Sequence, residues 1–181
     1  SGEFKGQSLT DILHKHPDFL GTHPRNILSA RGLRADELPI LIKFIDAKQD
    51  LSIQVHPDDA YANDNENGQF GKTEMWYVLD ATKDAHLIYG LIHDVDKNTV
   101  RKAIHEGTLE KYLQKIHIEK DDVFNVESGM IHAIGAGALI AEIQESSNLT
   151  YRMYDYNRID KNGTKRDLHI EKALDVANLK A

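Results

Sequence analysis

A chain of 181 residues, 40% hydrophobic and 28% charged, has the length of one domain and can bury a continuous core. Its formal charge of −7 argues against general attraction to nucleic acid or anionic membranes, and no apolar run approaches the roughly 18 residues that a membrane-spanning helix needs. The absence of cysteine removes disulfides, thiol nucleophiles and thiolate ligands, so any metal must be held by His, Asp, Glu or amide oxygen.

The first residues lack the basic start and apolar stretch of a secretory signal, which makes a soluble, cytoplasmic protein the simpler expectation. Ser8 to Asp11 reads as a helix start, with Leu9, Ile12 and Leu13 as its apolar edge and His16-Pro17 as its stop. From Gly21 through Leu38, Pro24 and Gly32 predict a connection with little regular structure. Strands are predicted over 40–45 and 51–56, separated by a polar turn, and 57–68 reads as a polar loop. Further strands are predicted over 73–79 and 86–91. The period then changes: Val100, Ala103 and Ile104, followed by Leu109, Tyr112, Leu113 and Ile116, recur at helical spacing and predict a helical insertion over about 97–116. Strand signals resume over 123–126, 130–134, 138–144 and 150–154, with turns between them, and Asp167 is placed to cap a closing helix that carries Ile170, Ala173, Leu174 and Ala177 on one face. Short, closely spaced strands favour a barrel or sandwich.

Chemistry concentrates in four places. Gln54 and His56 stand two apart on a strand, so they share one face while Ile53 and Val55 take the other. Glu74 and His132 each interrupt an otherwise apolar strand. Each feature alone has a plain structural reading: a polar strand face, a Glu74–Lys72 pair, a hydrogen-bonded histidine. A barrel, however, wraps distant strands around one lumen, where His56, Glu74 and His132 can complete a two-histidine, one-carboxylate set with Gln54 as an oxygen ligand, a convergence that spacing alone does not establish. Glu142 and Gln144 share a face of the next strand, as Thr150, Arg152 and Tyr154 do of the one after it. If both faces line the lumen, Glu142 is a candidate for proton transfer and Arg152 for steadying a developing anion, against the alternative of a structural Glu–Arg pair. Lys72 could reach a substrate oxygen from the strand's entrance, with a solvated surface lysine as the plain alternative, and Arg158 is a candidate phosphate contact. His86, His93, His105, His117 and His169 read as surface or local structure.

The segments Gln54-Val55-His56-Pro57-Asp58-Asp59, Gly71-Lys72-Thr73-Glu74-Met75-Trp76-Tyr77, Gly129-Met130-Ile131-His132-Ala133-Ile134 and Glu142-Ile143-Gln144 followed by Thr150-Tyr151-Arg152-Met153-Tyr154-Asp155-Tyr156 resemble, in order, the signature blocks of the type I mannose-6-phosphate isomerase family. The resemblance runs from about Phe4 to the end. It implies a mainly β, cupin-type (jelly-roll) barrel with a helical insertion and flanking helices, one Zn2+ held by Gln54, His56, Glu74 and His132, and Arg152 as the catalytic arginine. It also implies a sugar-phosphate substrate and interconversion of mannose 6-phosphate and fructose 6-phosphate through a zinc-stabilised enediol or enediolate. Asn148 stands where relatives often have Asp, and Glu127 where they usually have Pro. Family members carry a strand-rich segment before the equivalent of Phe4, and many carry a smaller cupin domain after the equivalent of Ala181, so residues 1–181 are expected to be one metal-binding catalytic core without either. The alternative reading is a non-catalytic or truncated zinc-binding cupin that binds a sugar phosphate. An iron oxygenase also uses two histidines and a carboxylate, but a fourth protein ligand leaves fewer open positions for oxygen.

Overall fold

The computed structural model describes residues 2–22, 26, 38–159 and 161–181, so most of the predicted connection from Gly21 to Leu38 lies outside the described residues. The chain divides into two compact units, Ser1–Leu41 and Ile42–Ala181. In the first, Ser8 caps helix α1 (Leu9–Lys15) by accepting from the Asp11 N–H, and a 3-10 turn follows at Pro17–Leu20. Phe4, His16 and Phe19 pack ring to ring beside it.

Two antiparallel sheets dominate. One has the strand order β1-β8-β3-β6, built from β1 (Ile40–Asp46), β8 (Ala138–Glu145), β3 (Glu74–Ala81) and β6 (Val123–Val126). The other runs β5-β4-β7-β2-β9, from β5 (Leu113–His117), β4 (His86–Leu91), β7 (His132–Ile134), β2 (Ile53–Val55) and β9 (Tyr151–Tyr154). Side-chain alternation sorts these strands' residues into layers. Trp76, Val78, Val126, Ala138 and Ile140 from the four-stranded sheet meet Leu87 and Ile134 from the five-stranded sheet in an inner core. On the far face of the five-stranded sheet, Ile53, Val55, Ile88, Ala133, Tyr151 and Met153 are covered by Val100 and Ile104 of α3 (Lys97–Glu106) and by Ala173 and Leu174 of α4 (Ile170–Val176).

The structure corrects three sequence expectations. The segment read as a polar loop after His56 contains a short helix, α2 (Asp59–Asn65), because Asp58 accepts the Tyr61 N–H and supplies a cap. The helical insertion ends at Glu106, not near 116: Gly107 takes a left-handed conformation (φ 67°), and its N–H closes the helix on Ala103 and Ile104. Beyond a 3-10 turn at Leu109–Tyr112, the chain becomes β5, where Ile116 pairs with Leu87 and Leu113 with Leu91. Sheet pairing therefore outweighs the local helical spacing. At the C-terminal helix, Asp167 is not the cap; His169 occupies that position and makes no side-chain capping bond.

Candidate metal centre and active site

The strand register delivers the candidate ligands to the space between the sheets. Gln54 in β2 stands opposite His132 of β7 on one side and Arg152 of β9 on the other, so all three project from neighbouring strands. In the facing sheet, Glu74 of β3 pairs with Gln144 of β8, and Trp76 with Glu142, which puts both carboxylates on one face. His56 follows β2 directly. Its neighbour Pro57 accepts the Lys72 N–H, and Gly71 passes so close that a Cβ there would lie 2.4 Å from Asp58 C. Only glycine lets the two loops approach this closely, and the approach sets Lys72 beside the site.

His56, Glu74 and His132 are each 1% exposed, and their ligand atoms all lie within 4.8 Å of one another. His56 Nδ1 is 2.8 Å from Leu149 O, and His132 Nδ1 is 2.8 Å from Met130 O. A carbonyl can only accept, so each ring carries its proton on Nδ1 and offers the Nε2 lone pair inward, the arrangement common among metal-binding histidines. Those lone pairs face a third acceptor: Glu74 Oε1 lies 3.2 Å from His56 Nε2, and Glu74 Oε2 lies 3.9 Å from His132 Nε2. Trp76 Nε1 donates to Glu74 Oε2 at 2.9 Å. Lys72 Nζ is 2.7 Å from Glu74 Oε1 at ion-pair distance, and among the described residues no group meets that buried oxygen in hydrogen-bond geometry. Two inward imidazole lone pairs and a carboxylate converging at one buried point fit a bound cation, with the Lys72 ammonium as the neighbouring positive charge, 3.4 Å from His56 Nε2.

Ionisation supports the same arrangement. Burial is the largest influence on both imidazoles and lowers both pKa values, His132 to about 3, so both rings are neutral. Burial raises the Glu74 carboxyl pKa, and the Lys72 ammonium 2.7 Å away opposes that and favours the carboxylate. Gln54 adds an amide 3.4 Å from His132 Nε2, and a half-turn of that amide would present its oxygen instead.

A cavity of about 450 Å³ opens beside these groups, lined among others by Lys43, Ser52, Lys72, Glu142, Arg152 and Arg166. Glu142 and Arg152 both reach it, as the strand faces suggested, but they do not form the pair considered from the sequence. Glu142 accepts from Lys43 Nζ at 2.8 Å, and Lys43 also bonds Gln144. Arg152 donates from Nε to Ser52 Oγ at 3.4 Å and from Nη1 to Asp167 O at 2.9 Å. Lys72, two residues before Glu74, turns toward it, as period two places both on one face. Arg158 is not among the cavity-lining residues: it ion-pairs with buried Asp155 and its Nη1 donates to Asp50 O. Arg166 shares that carboxylate and, with Arg152, brings a guanidinium to the cavity. Sequence reasoning missed Lys43, Ser52 and Arg166. Lys43 carried a signal, since a lone lysine within Ile40-Leu41-Ile42-Lys43-Phe44-Ile45 must point to one face of that strand.

Two facing sheets with a buried two-histidine, one-carboxylate set between them define a cupin-type barrel with a candidate metal centre. Residues 7–84 match the family described as phosphomannose isomerase type I, catalytic domain. The chain is 42% identical over 177 residues to the mannose-6-phosphate isomerase ManA of Bacillus subtilis, covering 97% of this chain and 52% of that protein. It is 41% identical over 180 residues to the mannose-6-phosphate isomerase of Streptococcus mutans, covering 99% of this chain and 53% of the relative. A crystal structure of the mannose 6-phosphate isomerase from Bacillus subtilis superposes with a TM-score of 0.83 at 40% identity, over 99% of this chain and 54% of that one. In these matches the chain is similar to the type I phosphomannose isomerases, and it spans about half the length of the curated relatives it matches.

Proposed function

We propose that this chain is the metal-dependent core of an aldose–ketose isomerase that interconverts mannose 6-phosphate and fructose 6-phosphate through an enediol or enediolate. The observation that carries the reading is that one cavity, lined by His132 of the convergent His56–Glu74–His132 set and by Gln54, also takes in a buried acid, Glu142, and four cationic side chains, in a chain of net charge −7. Nitrogen and oxygen donors without thiolate suit zinc, with Gln54 completing the set. When bound, zinc supplies Lewis-acid polarisation of the sugar oxygens.

The chain's own residues account for the rest. Transfer of a proton between adjacent carbons needs a positioned base, and Glu142 meets the requirement: it is buried, faces the cavity and is held by Lys43. Arg152 sets a fixed positive charge where the enediolate or the open-chain carbonyl develops charge. Lys72, held at Glu74, is placed to meet a substrate hydroxyl. The phosphate finds Arg166, with Ser52 and the neutral amide of Asn148, on the same wall. Arg158 acts at one remove, by sharing Asp155 with Arg166.

The test is conversion of mannose 6-phosphate to fructose 6-phosphate by the zinc-loaded chain, compared with Glu142→Gln. The variant is expected to keep its zinc and to lose about 10²–10⁴-fold in kcat. Full turnover in the variant removes Glu142 from the mechanism. A wild-type chain that binds zinc and sugar phosphate without turnover would instead be a non-catalytic sugar-phosphate-binding cupin.

A further inference from the structure

β9 is the outermost strand of the five-stranded sheet among the described residues, and an edge strand leaves main-chain N–H and C=O groups in need of partners. At Arg152 both needs are met by one residue. The Arg152 N–H donates to His169 Nδ1 at 3.2 Å, and the His169 N–H donates to Arg152 O at 2.8 Å. Two residues earlier, Asp167 O accepts from Arg152 Nη1, so the segment 167–169 grips this arginine by both its backbone and its guanidinium.

His169 forgoes an ordinary local role to do this. It stands at the N-cap of α4, where a Ser, Thr, Asp or Asn would satisfy a helix N–H, yet its side chain makes no capping bond. A helix start that breaks the local rule while its only ring acceptor serves another strand marks a functional constraint. The grip is anchored from behind: Ala173 and Leu174, one turn into α4, are buried in the outer core against β9.

We propose that His169 is the positioning residue that fixes Arg152, and through it the guanidinium, in the cavity. Its catalytic consequence rests on the isomerase reading given above. Accepting at Nδ1 requires a neutral ring protonated on Nε2. The surroundings favour that form: burial first, then the Arg152 guanidinium, lower the His169 pKa, with Lys172 acting in the same direction and Asp167 and Glu66 against it. The ring of Tyr151 lies 6.4 Å away and completes the groups around it.

Two variants separate this role from a purely structural one. His169→Phe keeps an aromatic ring and loses the acceptor, whereas His169→Asn places an amide oxygen near the former Nδ1. In the zinc-loaded chain, His169→Phe is expected to speed hydrogen exchange at the Arg152 amide by about 10-fold or more. The same variant should lower kcat for mannose 6-phosphate by about 10–100-fold with little change in KM, the pattern of a displaced transition-state contact. His169→Asn is expected to restore most of both, and 15N spectra of the wild-type imidazole should show Nδ1 unprotonated. Unchanged Arg152 exchange in His169→Phe, or equal loss of kcat in the two variants, overturns the proposal. Should the wild-type chain show no isomerisation, the isomerase reading fails, while the Arg152 exchange rates still decide whether His169 holds that residue.

Discussion

The two sheets supply the same cavity under different constraints. The five-stranded sheet contributes Gln54, His132 and Arg152, with His56 just beyond its β2 strand, and it is buried on both faces, by the inner core and by α3 and α4. The four-stranded sheet contributes Lys43, Glu74 and Glu142, and on its outer face Met75 and Val123 are 37% and 60% exposed. The groups that must be held still, two imidazoles and a guanidinium, thus sit on the enclosed sheet, where backbone carbonyls at Leu149, Met130 and Asp167 orient them. The carboxylates of the other sheet are oriented by side chains instead: Trp76 and Lys72 for Glu74, and Lys43 for Glu142.

That difference can be broken by substitution. Met153 is fully buried between β9 and the helices, and Met153→Ala should destabilise the chain by about 2–5 kcal/mol in urea unfolding. Val123→Thr on the open face should stay within about 0.5 kcal/mol. Equal losses would mean that the outer face of the four-stranded sheet is as closely packed as the enclosed one.

A smaller effect sharpens the comparison at the rim of the cavity. Asp155 is 6% exposed and takes ion pairs from Arg158 and Arg166. Burial pushes its carboxyl pKa up, but Arg166 and then Arg158 outweigh burial and hold it below the ordinary value. A carboxyl depressed in the folded state stabilises above its unfolded-state pKa, and that stability is lost as pH falls through the folded-state pKa. Asp155→Asn should therefore cost about 1–3 kcal/mol at neutral pH. Unfolding measured across pH should show the gap to wild type closing on acidification below the ordinary carboxylate range. A gap independent of pH would contradict the ion-pair account.

Much of the site was legible because strand alternation is a strong rule. The shared face of Gln54 and His56, and the inward turn of Glu74, Glu142, His132 and Arg152, follow from period two once the strands are recognised. What sequence could not supply was partnership across the fold. Glu142 meets Lys43 from a strand 99 residues away, not Arg152, and no local pattern encodes that choice. Lys72 faces the same way as Glu74, as period two would place it, and its backbone is held there by Gly71 pressing its loop onto Pro57 and Asp58, a tertiary contact that no local pattern encodes. The β5 strand was hidden because Leu109, Tyr112, Leu113 and Ile116 imitate a helical face, whereas Gly107 ends the helix and pairing with β4 takes the remainder. His169 read as local structure because its acceptor reaches a strand 17 residues away.

The central claim is that His56, Glu74, His132 and Gln54 share one cation. X-ray absorption at the zinc edge of the loaded chain tests it most directly. A single site of two imidazole nitrogens with the remaining first neighbours oxygen, lost in His132→Ala together with bound zinc, is the predicted result. Zinc that stays bound with an unchanged spectrum in His132→Ala would place the ion elsewhere and contradict the account.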